Sequence, residues 1–334
     1  MPLRLGKLPP QLLQQLLHYH GARDPRVIVG PRFGEDAAVI DLDKQYLILK
    51  SDPVTFTADE IGWYAVHVNA NDVAVMGARP AWFQATIIVP RGTTSAVVRG
   101  IFHDIDRSAR SLGIAVTGGH TEVSLAVRQP IVAGDMQGVV PHTGLVTSAG
   151  AHVGDVILLT KAAGIEGTSI IARRFPLVAR RVLGARGQRI AARFHHVPGL
   201  SVVTEALVAA RSGATAMHDP TEGGVATGLF ELAAASRKCL LVDLDRIPVL
   251  PHTAQLCTHF RIRPLGLIGS GALLLTIPAR QADGLARALR RRDIVATCIG
   301  RVARGHGVEA RIDGKRTRFV WSAQDELTKL FPAG

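Results

Sequence analysis

Asn69-Ala70-Asn71-Asp72-Val73-Ala74-Val75-Met76-Gly77-Ala78-Arg79-Pro80 decides how the chain is read. Alanine, valine and methionine fill most of it, so the spacing predicts a helix buried on nearly every side. That helix runs from about Asp59 to Met76 and is closed by Gly77 and Pro80. Asn69 and Asp72 stand three residues apart and share a helix face. A lone carboxylate is costly to bury, so Asp72 needs a partner or a metal ion. A satisfied structural Asp near a helix end fits these residues equally well.

Short elements extend outward from this helix. Upstream, the pattern predicts a helix at Pro10–Tyr19 and strands at Ala37–Ile40 and Tyr46–Lys50, the second ending in Ser51-Asp52-Pro53. Downstream it predicts a strand at Phe83–Val89, a helix at Thr94–Leu112, and strands at Ile114–Thr117 and Pro130–Val140. Gly144–Gly154 is rich in small residues and marks a boundary, placing domains at 1–148 and 149–334. The second half alternates again. Strands are expected at Val156–Thr160, Cys239–Val242 and Ala272–Ile277, and helices around Glu166–Arg174, Ser201–Ser212, Thr221–Ser236 and Ala279–Arg291. This mixture in both halves indicates an α+β fold.

Composition limits the possibilities. A chain of 334 residues, 47% hydrophobic and 20% charged, is long enough to bury a core without staples, which excludes disorder and a disulfide mini-fold. The net charge of +12 favours anionic partners without choosing among them. Cys239, Cys257 and Cys298 form no CxxC pair, which argues against a cysteine zinc site and fits a reducing compartment. The N-terminus MPLRLGKLPPQLLQQLL lacks a signal-peptide pattern, and no stretch approaches the ~20 apolar residues of a membrane span. A soluble, cytoplasmic protein is expected. P-loop, Rossmann and GxSxG signatures are all missing.

Four further segments carry acids or paired glycines. Gly34-Glu35-Asp36 precedes a strand, where two acids could hold Mg2+ or simply make a surface turn. Asp52 lies at a strand end, a common place for a site residue and for a turn residue alike. Gly118-Gly119-His120-Thr121-Glu122 follows a strand. Its glycines would let backbone N–H groups approach an anion, or would make an ordinary strand-exit turn. His218-Asp219-Pro220-Thr221-Glu222-Gly223-Gly224 fits a capping box with Asp219 as N-cap, Pro220 at N1 and Glu222 at N3. A helix start of this kind is also an anion site.

One charge feature stands apart. Residues 167–204 hold seven arginines (173, 174, 180, 181, 186, 189 and 193) and no Asp or Glu. Such a block is usually a solvated face, and otherwise a patch for an anionic partner. Only Phe175 and Phe194 lie within it, a poor platform for stacking nucleic-acid bases.

Taken in order, GEDAAV (34–39), SDPVTF (51–56), NANDVAVMGARP (69–80), GGHTEV (118–123), DPTEGGVATGLFELA (219–233) and GSGALLLTI (269–277) resemble the AIR synthase, or PurM-like, superfamily. The branch most similar is the HypE-like, AIR synthase-related one. The resemblance implies an N-terminal α/β domain that forms a β-barrel across a homodimer and a C-terminal α+β sandwich domain. It implies ATP with Mg2+, used to phosphorylate or activate a substrate atom on a small molecule or a protein. No membrane is expected from the lack of an apolar span, and a nucleic-acid partner, which the charge and the arginine block would motivate, is the least favoured class. By position, Asp36, Asp52 and Asp72 match the metal-binding acids, with Glu35, His120 and Glu122 as further candidates. Asn69, Gly118 and Gly119 match the region around the phosphates. Thr121 and the helix start at Gly223 and Gly224 are further nucleotide-holding candidates, and Asp219 or Glu222 is the candidate acid to orient substrate.

Two departures qualify the match. Many relatives carry Asp after the paired glycines, where this chain has His120, so a ligand is lost, moved to Glu122, or replaced by imidazole. HypE-type proteins end in a tail with a reactive terminal Cys, whereas this sequence ends Leu330-Phe331-Pro332-Ala333-Gly334 and has its last cysteine at Cys298. The expectation is therefore shared ATP chemistry without dehydration of a carbamoylated tail. A non-catalytic ATP-binding maturation or scaffold protein is the alternative.

Overall fold

The computed structural model describes residues 6–19, 21–55, 57–322 and 324–331. Phe56 of the segment at 51–56 and Pro332–Gly334 lie outside these residues. The chain divides into two compact units. One is formed by residues 24–30 and 36–145. The other takes in residues 31–35, the chain from 146 onward, and the segment before 24.

In chain order the first elements are α1 (Pro10–Leu16), β1 (Val27–Val29), β2 (Ala38–Asp41), β3 (Tyr46–Val54), α2 (Ile61–Val75), β4 (Arg79–Pro90), α3 (Ser95–Leu112), β5 (Ala115–Ser124) and β6 (Ile131–Val140). The N-terminal unit is a six-stranded sheet ordered β1-β2-β3-β6-β4-β5. Neighbours are antiparallel except β4 and β5, which are parallel. A parallel pair needs a crossover, and α3 supplies it. As its composition predicts, α2 is buried all round, and it packs on β3 and β6. Glycines in β6 let it lie close: a Cβ at Gly134 would strike Asn69 and Phe83, and one at Gly138 would strike Val73.

Then come β7 (Asp155–Thr160), α4 (Ile165–Arg174), α5 (Pro176–Ala192), α6 (Val203–Arg211), β8 (Ala216–His218), α7 (Gly224–Ser236), β9 (Cys239–Asp243), α8 (Pro251–Phe260), β10 (Leu274–Pro278), α9 (Ala279–Arg290), β11 (Ala296–Ala303), β12 (Gly307–Ile312) and β13 (Lys315–Thr317). Their sheet is ordered β13-β12-β9-β11-β7-β10-β8, with only β9 and β12 parallel. Its core joins Ile157 and Leu159 of β7, Val225, Leu229 and Leu232 of α7, Leu240 and Val242 of β9, and Leu274 of β10. No described helix is long and apolar enough to cross a membrane.

Three expectations are corrected. Strand β3 does not end at Lys50 but runs on through Asp52 to Val54. Pro53 is tolerated because β2 pairs only as far as Leu49, leaving β3 one neighbour there. Strand β5 does not end at Thr117: the paired glycines lie inside it. Helix α7 begins at Gly224 after a left-handed Gly223, so Asp219 is not its N-cap and the capping box does not form.

Candidate functional site

The extension of β3 arranges the N-terminal unit's acids. Successive strand residues point to opposite faces, so Lys50 and Asp52 share one. The Lys50 Nζ lies 3.2 Å from Asp72 Oδ2 on α2 and 3.8 Å from Asp52 Oδ2. Asp72 is 4% exposed. Asp36, just before β2, brings a carboxylate oxygen within 4.8 Å of one from Asp72. Two carboxylates at this separation, with Asp52 beside the same lysine, are hard oxygen donors of the kind Mg2+ takes. Lys50 was not singled out in the sequence. Its signal was the alternation Lys50-Ser51-Asp52, hidden by ending the strand too early.

Asn69 has a structural task that its spacing alone does not reveal. Its Nδ2 donates to the carbonyls of Asp52 (3.1 Å) and Ala65 (2.8 Å), tying α2 to β3. Ser51 Oγ donates to the Gly134 carbonyl at 3.0 Å, tying β3 to β6. With Nδ2 so committed, Asn69 Oδ1 is buried without a hydrogen-bond partner among the described residues. It is an acceptor held ready beside Asp52.

Gly118, Gly119, His120, Thr121 and Glu122 all lie on β5, an edge strand exposed along almost its whole length. Gly119 is required there, because a Cβ would collide with the Ala85 carbonyl of β4. His120 Nε2 and Glu122 Oε2 are 3.3 Å apart, and both residues are exposed. Neither joins a cluster of three metal-capable side chains among the described residues. Glu35 belongs to the other unit, where its Oε2 accepts from the Ser148 N–H at 3.1 Å.

The C-terminal unit buries several acids around α7. Asp219 is 1% exposed and Glu222 half-buried. The Gly223 N–H donates to Asp325 Oδ2 at 2.7 Å, and Asp325 Oδ1 accepts from the Leu327 N–H at 2.7 Å. The Gly224 N–H donates to the Thr221 carbonyl at 3.0 Å. The anion at this helix start is thus the chain's own carboxylate. Burial pushes the Asp325 carboxyl up to about 6, against the N–H donors of Leu327, Gly223 and Ile268. Burial also raises Glu166 to about 7, opposed by a hydrogen bond to Ser270 and aided by the charges of Asp325 and Glu222. Glu231 goes the other way. Burial opposes its ionisation, but Lys7 and His218 (Nε2 at 3.0 Å) outweigh it and hold the carboxyl down at about 2.

Family comparison matches both halves of the chain. Residues 34–140 fit the AIR synthase related protein, N-terminal domain, and residues 152–313 its C-terminal domain. The chain belongs to the AIR synthase related family. Among curated relatives, the carbamoyl dehydratase HypE of Cupriavidus necator is 30% identical over 348 residues, covering 97% of this chain and 92% of its own. A crystal structure of the hydrogenase maturation protein HypE in complex with ATP superposes with a TM-score of 0.72 at 21% identity, covering 94% of this chain and 91% of its own. AaThiL complexed with AMPPCP and TMP gives 0.71 at 19%, covering 93% and 94%. At these identities the structures establish a shared two-domain, PurM-like α+β fold. In this AIR synthase related chain, Asp36, Asp52 and Asp72 all fall within the matched N-terminal domain.

Proposed function

We propose that the protein binds ATP with Mg2+ on the acids of its N-terminal unit and uses it to phosphorylate or activate a substrate atom. The observation that carries this is the approach of Asp36 and Asp72 beside Lys50 and Asp52. The ATP and AMPPCP complexes of its structural neighbours support the choice of nucleotide. Bound Mg2+ would bridge and neutralise phosphate oxygens. Asp36 and Asp72 would hold it, with Asp52 alongside. Lys50 keeps the acids charge-compensated without the ion and offers a cation to a phosphate with it. Gly118, Gly119 and Thr121 would approach the nucleotide along β5, through the backbone N–H groups that its open edge leaves unpaired. Asp219 and Glu222 are the acids proposed to orient the substrate.

Replacing Asp72 with Asn should cut Mg2+-ATP turnover, read as ADP release, by about 100-fold or more while leaving the circular dichroism unchanged. Unchanged ADP release would sink the metal assignment. The second reading, an ATP-binding scaffold, is favoured by His120, which pairs with Glu122 on the surface of β5. It predicts tight Mg2+-dependent ATP binding with no ADP formed.

The same strand bears on assembly. β5 exposes both faces and one edge, with Val116 and Val123 uncovered. A long edge of unpaired backbone groups invites pairing, so we infer that a second copy covers it in a homodimer. Light scattering at the monomer mass would contradict that. The three free cysteines favour a cytoplasmic location.

A further inference from the structure

The arginine-rich segment at 167–204, which the proposed chemistry does not use, folds into a surface of defined pattern. Its centre is α5, broken by Gly184 (φ 74°, ψ 169°) into two short halves. The inner side of α5 is committed: Ala179, Gly187 and Ala191 are buried, and the helix packs on α4 and α8. Gln188 Nε2 donates to the Ala172 carbonyl at 3.1 Å.

The outer side repeats one motif. In the first half, Leu177, Arg180 and Arg181 follow i, i+3, i+4 spacing. In the second, Arg186, Arg189, Ile190 and Arg193 follow i, i+3, i+4, i+7. All five arginines are exposed, and none makes an ion pair with another described residue. Leu177 is 82% exposed and Ile190 41%. Each half therefore presents one aliphatic side chain ringed by guanidinium groups, along roughly 25 Å of helix.

We infer that this face docks a protein partner through a carboxylate-rich surface bearing aliphatic side chains. Guanidinium groups pair bidentately with carboxylates, and an apolar anchor with an arginine surround is the pattern of protein interfaces. A phosphate backbone offers nothing to Leu177 or Ile190. The segment's aromatics are also unavailable for stacking on bases: Phe194 is buried against His252, and Phe175 is half-buried against Phe260. A membrane needs a continuous apolar helix face, and that of α5 is already packed.

The test uses the whole protein and three probes: a fluorescein-labelled peptide of five Glu-Leu-Glu-Glu repeats, a 20-bp duplex RNA, and phosphatidylserine vesicles. The peptide should bind most tightly of the three, with affinity falling about tenfold between 0.05 and 0.2 M salt. The R181E/R186E/R189E variant should lose at least tenfold. L177S/I190S, with every charge intact, should lose at least threefold. Peptide binding unchanged in either variant overturns the inference, as does tighter binding of the RNA or the vesicles at 0.15 M salt.

Discussion

Asp72 on α2 and Lys50 on β3 form an ion pair inside the N-terminal unit. Asp72 is nearly inaccessible, and its charge is tolerable because the Lys50 Nζ stands 3.2 Å away. Removing one partner of a fully buried pair costs about 3–5 kcal/mol. The Lys50 side chain is 23% exposed, so Lys50→Met should cost less, about 2 kcal/mol, and lower the melting temperature by roughly 5 °C in EDTA. Mg2+ should restore most of that loss, and thermal denaturation with and without the ion checks it. A variant that melts like the parent in both conditions would show that the lysine and the cation do not share a site. Asp36 and Asp72 were legible in the sequence from a neighbouring glycine and a helix face, and Asp52 from an expected strand end that the fold moves on to Val54. Lys50 was not, because its partner Asp72 lies on another element and only the fold brings them together.

Strand β5 shows what element-level patterns hide. Gly118-Gly119 resembles a turn, yet the chain stays extended because β4 holds it, paired from Trp82↔Ala115 to Pro90↔Ser124 with one irregularity at Phe83/Gln84. The glycine at 119 answers to the Ala85 carbonyl, a contact no local pattern reveals. Gly119→Ala should destabilise by about 1–3 kcal/mol, with the earliest amide exchange along residues 115–124. Unchanged exchange there would mean the strand is not held as described. Helix α7 teaches a similar lesson. Its true start at Gly224 is fixed by Asp325, a hundred residues away, and not by the nearby Asp219. Helix α5 was missed altogether, since Pro176, Gly184 and Gly187 break a pattern that only packing on α4 and α8 restores. The long regular elements α3, β6 and α9 needed no such help, because burial follows their period, and α2 was legible from its composition alone.

At the scale of the molecule, the +12 charge and the buried acids act in different places. Glu166 and Asp325 carry folded-state values near 7 and 6, above their ordinary range. Their contribution to stability is full below about pH 4 and is lost as pH rises through 6–7. Glu166→Gln should therefore gain up to about 3 kcal/mol at pH 8 and nothing near pH 4.5. Denaturant titrations at the two pH values check this, and equal gains at both would refute it. Glu231, held near 2, works in the opposite sense, so its share is lost only as pH falls from about 4.5 toward 2. Part of the arginine surplus instead lines the outer face of α5. The proposed nucleotide site rests on a few acids of the N-terminal unit, and calorimetric titration with a non-hydrolysable ATP analogue tests that directly. Binding should require Mg2+ and weaken about 100-fold in EDTA or in the D36N/D72N variant. Equal affinity with and without the ion, or in that variant, would contradict it.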